Sequence, residues 1–176
     1  MKRWAAMAAA LLIAAACGND SPTTASGPTG PIVFTANVSA ANEAPPITNA
    51  EANALGTVTI TVTVPRDATT GAVTGAGTVS FVAQLASFPA RTPAIMAHIH
   101  TGIVGVVGGV LVDTRLAPAN PVLMDANGSG TINVSNIDIS QATATSIVAN
   151  PAGFYFDVHT TLNPTGAVRG QLVAKQ

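Results

Sequence analysis

One cysteine among 176 residues, and only 9% charged residues, rule out several kinds of chemistry at the outset. A lone cysteine cannot form an internal disulfide, so the folded part must be stable through its core alone. The seven Lys and Arg residues form no basic cluster. Binding a phosphate backbone needs several clustered cations, so nucleic acid is not an expected partner. Beyond the first 16 residues no run of about 18 consecutive apolar residues occurs, and no transmembrane helix is predicted. There is no Gly-x-Ser-x-Gly elbow, which with the single cysteine argues against serine or cysteine hydrolysis. No internal repeat is visible.

What is present begins with a three-part leader. Lys2 and Arg3 precede an uncharged apolar run, Trp4 to Ala16, and small residues then lead into Cys17. This is the layout of a secretory signal peptide over residues 1–16, too short in its apolar part for a membrane-spanning helix. Ala14-Ala15-Ala16-Cys17 resembles a bacterial lipobox, in which the cysteine is acylated and becomes the mature N-terminus. The place where that pattern prefers Leu is Ala14. The expectation is an exported lipoprotein of the cell envelope whose partner is the lipid bilayer, through acylated Cys17. Cleavage before Cys17 would leave 160 residues with five basic and eight acidic side chains, a net charge of −3. Residues 18–31, GNDSPTTASGPTGP, are Ser/Thr/Gly/Pro-rich and lack an apolar period. They read as a flexible tether of about 20 Å root-mean-square span.

From Ile32 onward Val, Thr, Ile and Ala dominate. Thr57 to Val64, TVTITVTV, places Val58, Ile60, Val62 and Val64 on one face and four threonines on the other, the period of a half-buried strand. Further strands are predicted over 32–39, 78–85, 95–100, 104–112, 131–139, 154–160 and 167–173. About eight short strands punctuated by Gly, Pro and Asn predict an all-β antiparallel sandwich or barrel-like domain over residues 32–176. Ser140 to Ala149 is the one short helix expected, with Ser140 as N-cap. Asp125 to Gly130 could suggest calcium, but an EF-hand loop needs a glutamate at its twelfth position and more oxygen ligands. Asn127-Gly128 is read as a hairpin turn.

All three histidines lie in predicted strands. His98 and His100 are two residues apart and so share a face. His159 shares a face with Tyr155 and Asp157, opposite Phe154, Phe156 and Val158. If these strands are neighbours, three imidazoles converge. Three imidazoles suit zinc or copper, and a nearby carboxylate can orient a ring nitrogen. The alternative is that they hydrogen-bond the backbone and stabilise the sheet.

Three blocks resemble the CHRD domain, the module named from chordin and found in many bacterial secreted proteins. They are Ser39 to Pro46 (SAANEAPP) followed by Gly56-Thr57; Ala97 to Gly102 (AHIHTG) with the Gly-rich stretch and Val110-Leu111-Val112; and Phe154 to Thr160 (FYFDVHT) with Asn163 to Leu172 (NPTGAVRGQL). The family pattern has Asn-Glu-Val-Pro-Pro where this chain has Asn-Glu-Ala-Pro-Pro. The resemblance implies a β-sandwich-like domain of ill-defined biochemical activity, and it places the three histidines on motif positions. Glu43, Asp157 and Arg169 also fall in the blocks. They are candidates for a polar cluster, either a satisfied ion-pair network or the frame of a small polar site.

Two functions follow as expectations. One is a non-catalytic, envelope-anchored binding or structural module, with a protein or small-molecule partner that the residues do not name. No nucleophile–base–orienter arrangement argues for an enzyme. The other is a metal-binding protein holding copper or zinc on His98, His100 and His159, with mononuclear redox chemistry as its extension. Copper-zinc superoxide dismutases also carry a His-x-His strand, but their two-metal site needs more histidines than three.

Overall fold

A computed structural model describes residues 30–175; the expected signal peptide, Cys17 and the expected tether up to residue 29 lie outside the described residues. Ten strands alternate along the chain: β1 (Ile32–Ser39), β2 (Leu55–Thr63), β3 (Gly77–Ala86), β4 (Pro93–Thr101), β5 (Val110–Asp113), β6 (Val122–Leu123), β7 (Gly130–Ile139), β8 (Phe154–Thr160), β9 (Val168–Gln171) and β10 (Val173–Ala174). One helix, α1 (Gln141–Ala149), joins β7 to β8. Every pairing is antiparallel, in the order β5-β4-β8-β9-β1-β2-β3-β7, with β10 on β1 and β6 on β4. The eight strands of that path form a nearly closed, barrel-like sheet, within the architecture expected from the sequence.

The period-two pattern determines which side chains turn inward. Val58, Ile60 and Val62 of β2 are buried, whereas Thr57, Thr59 and Thr63 face solvent. From the far wall Ala97, Ile99, Phe156 and Val158 enter the same core, and the Phe81 and Phe156 rings meet with centroids 5.6 Å apart. Burying such side chains contributes roughly 1.5–3 kcal/mol each, the main stabilisation open to a domain without a disulfide. Ser140 caps α1, its Oγ accepting from Thr143 N at 3.1 Å. Asp125 Oδ1 accepts from Asn127 N and Ser129 N, so the Asn-Gly segment is a turn between β6 and β7. No helix among the described residues is long and apolar enough to cross a membrane.

Two strand expectations are corrected. Over 104–112 only Val110–Asp113 is a strand. Gly105 has φ +77°, and a Cβ on Gly108 would lie 1.7 Å from the Thr101 carbonyl oxygen. Residues 103–109 are thus an irregular loop, with Val104 and Val107 exposed. Over 167–173 the strand breaks at Leu172, whose N–H bonds Phe154 O while β9 lies on β8 and β10 on β1.

Candidate metal centre and carboxyl pair

With the apolar side chains of β4 and β8 committed to the core, their remaining side chains share the outer face. β4 pairs with β8 so that His98 lies opposite Asp157, His100 opposite Tyr155 and Met96 opposite His159. On its other side His98 faces Asp113 of β5. This register brings the three histidines together. One ring nitrogen from each lies within 4.8 Å of the others, and all three residues are buried, 6–8% exposed.

Hydrogen bonds fix the tautomers. His159 Nδ1 lies 3.1 Å from Pro164 O and His100 Nδ1 lies 3.0 Å from Gly108 O. A carbonyl can only accept, so both rings carry their proton on Nδ1 and offer the Nε2 lone pair. His100 Nε2 is buried with no hydrogen-bond partner. His159 Nε2 accepts from His98 Nδ1 at 3.0 Å. His98 Nε2 lies 3.6 Å from Asp113 Oδ1, so moving the proton to Nε2 would free Nδ1 while the Asp113 carboxylate accepts the N–H. Three lone pairs then converge, each ring held from behind by an acceptor, the arrangement that metal-bound imidazoles use. Burial holds all three rings below the usual imidazole range, His159 down to about 4, with neighbouring imidazoles adding to the effect at His98 and His159. The neutral form a metal requires is the form the fold favours.

The polar candidates separate into two arrangements. Glu43 and Asp157 form a carboxyl pair beside Gly166. Gly166, with φ +136°, makes room for them; a Cβ there would lie 2.9 Å from Glu43 Oε2 and 3.0 Å from Asp157 Oδ2. Arg169 lies opposite Asp157 in the register but makes its close contacts elsewhere. Its Nη2 donates to Ile103 O at 3.2 Å and Val106 O at 3.1 Å, and its guanidinium carbon lies 3.5 Å from the Tyr155 ring centre. Tyr155 in turn stacks on His100, with centroids 5.0 Å apart and planes 7° from parallel. Arg169 therefore fastens the 103–109 loop over the aromatic neighbour of the histidines, and it makes no ion pair with Glu43 or Asp157 within 4.0 Å. The carboxyl pair, Tyr155 and Arg169 line a cavity of about 330 Å³.

Desolvation raises Asp157 to about 9 and Glu43 to about 7, against the lowering effect of Arg169. An acid raised on folding keeps a proton that the unfolded chain gives up above about pH 4, so its contribution to stability is lost as pH rises toward the folded value. Between pH 7 and 9 the histidines are neutral in both states, and Asp157 dominates this cluster's response. With chelator present, stability should fall by roughly 2–3 kcal/mol across that interval. Denaturant unfolding at the two pH values checks this, and Asp157→Asn should flatten the slope.

One buried acid carries no sequence signal beyond being a charge in a nearly uncharged chain. Glu51 is fully buried, its Oε2 accepting from Thr160 Oγ1 at 2.8 Å and from Asn163 Nδ2. It ties the 43–54 segment to the end of β8 beside His159.

Comparison with known families matches the CHRD domain over residues 34–172. Neither the curated proteins nor the solved structures give a match.

Proposed function

This chain belongs to the CHRD-domain family, and we propose that it is a non-catalytic metal-binding module of the bacterial cell envelope, holding one copper or zinc ion on His98, His100 and His159. The observation that carries this reading is the convergence of three imidazoles, two with their outward nitrogens hydrogen-bonded to Gly108 O and Pro164 O and the third with its outward nitrogen 3.6 Å from Asp113 Oδ1. Imidazole suits both metals, and a three-histidine set with one position left over is a familiar ligand count for zinc. The full chain, reconstituted with copper or zinc and dialysed, should retain one ion per molecule by elemental analysis. The His98/His100/His159→Ala triple variant should retain none. Equal metal in both proteins would contradict the proposal.

Export and anchoring form the second part. They are supported by Lys2 and Arg3, the apolar run and the small residues before Cys17, with residues 18–31 as the spacer. Cys17→Ser should move the protein from the membrane fraction to the soluble fraction, as seen by immunoblot after fractionation. Persistence in the membrane would refute the lipid anchor.

A second reading, a module that binds a protein partner, is favoured by the exposed apolar loop. Ile103, Val104 and Val107 are 61%, 79% and 70% exposed in a loop held by Arg169. Retrieval of a specific protein from envelope fractions, lost on replacing these three residues with Ser, would support it.

A further inference from the structure

We propose that Asp157 is the fourth ligand of the metal, so that the ligand set is three neutral histidines and one anionic aspartate. This rests on the three-histidine reading above. Asp157 is 3% exposed, and its Oδ1 is buried with no hydrogen-bond partner. Ionised, a carboxyl group this buried requires a partner of opposite charge or a full set of donors; without one it keeps its proton, which an arriving metal ion would displace to solvent. The nearest candidate cation, Arg169, directs its Nη2 to the carbonyls of Ile103 and Val106 and makes no ion pair with Asp157 within 4.0 Å. Glu43, the other neighbour, is itself a carboxyl group with an unpartnered Oε1. Asp157 thus lacks a contacting cation, and the histidine cluster lies beside it.

The geometry fits. Asp157 Oδ2 is 4.0 Å from His159 Nε2, the nitrogen that also lies 3.0 Å from His98 Nδ1. In a tetrahedral site with bonds of about 2.0–2.1 Å, neighbouring donor atoms are about 3.4 Å apart. Closing the difference needs less than about 1 Å of side-chain movement. Asp157 lies opposite His98 in the strand register and two residues from His159 on the same face, so the sheet itself holds it beside both ligands. Gly166 leaves the space that Glu43 occupies beside Asp157. A hard, anionic oxygen ligand in the set selects zinc or copper(II) over copper(I).

The test uses cobalt(II) as a spectroscopic substitute, with the full chain carrying Cys17→Ser so that its one thiol does not compete. The protein should bind one cobalt ion with the intense visible bands of a tetrahedral site. Asp157→Asn should alter those bands and weaken binding by more than the roughly 10- to 100-fold that loss of an outer partner costs. Unchanged bands and affinity in Asp157→Asn would overturn the assignment of Asp157 alone. Absence of cobalt binding in the parent protein would instead overturn the three-histidine reading. Thermal melting without metal establishes that the variant is folded. If it is not, the infrared difference spectrum of the parent protein with and without zinc decides: loss of a buried carboxylic-acid band with gain of a carboxylate band on binding is expected, and its absence refutes the proposal.

Discussion

Arg169→Ala should lower the unfolding free energy by about 3–5 kcal/mol, the largest single-residue effect expected around the site. Arg169 is 2% exposed, and its Nη2 is the donor to both Ile103 O and Val106 O. Truncation strands two carbonyls, empties the space against Tyr155 and removes the positive charge nearest the carboxyl pair. Arg169→Lys should recover only part of the loss, because an ammonium lacks the planar fork that stacks on the ring while reaching two carbonyls. Urea titration gives the magnitude. Amide exchange gives the location: residues 103–109 should exchange faster in both variants, while β2 and β3 keep their ranking. A loss below about 1 kcal/mol would mean that the loop is held in some other way.

The second large effect is stabilisation by metal. A ligand that binds only the folded state at 100 times its Kd adds about 2.7 kcal/mol. For a domain of this size that corresponds to a rise in Tm of about 5–11 °C. Zinc at that excess should produce such a rise in the parent protein and none in the triple histidine variant, measured by calorimetry. Asp113→Ala should keep the shift but move its midpoint to about 10- to 100-fold higher zinc, because Asp113 is the group placed to accept the His98 Nε2–H once Nδ1 binds the metal, without touching the metal itself. A comparable shift in the triple variant would place the metal elsewhere.

Much of the fold was legible because one rule governs it. Strict alternation over Thr57 to Val64 identifies a strand and its inward face before any contact is known. The same rule puts His98 with His100, and Asp157 with His159. What alternation cannot show is which strands are neighbours. His98 and His159 are 61 residues apart, and only the β4–β8 pairing brings their nitrogens to 3.0 Å. The 104–112 expectation failed for a local reason. Its valines suggested a strand, but Gly105 adopts a positive φ and Gly108 is pressed against Thr101 O, so the backbone turns where the side chains suggested extension. Arg169 was recognisable as an unusual charge, yet its contacts are mostly backbone carbonyls, which no residue pattern identifies. Glu51 carries no such signal, because its partners, Thr160 and Asn163, are distant in sequence and ordinary in composition.

The most direct test of the central claim is anomalous scattering from crystals of the zinc- or copper-reconstituted protein, recorded on both sides of the metal edge. The account predicts a single peak about 2.0–2.1 Å from His98 Nδ1, His100 Nε2 and His159 Nε2. A reconstituted crystal with no peak between these three nitrogens, or with its metal bound elsewhere, would contradict it.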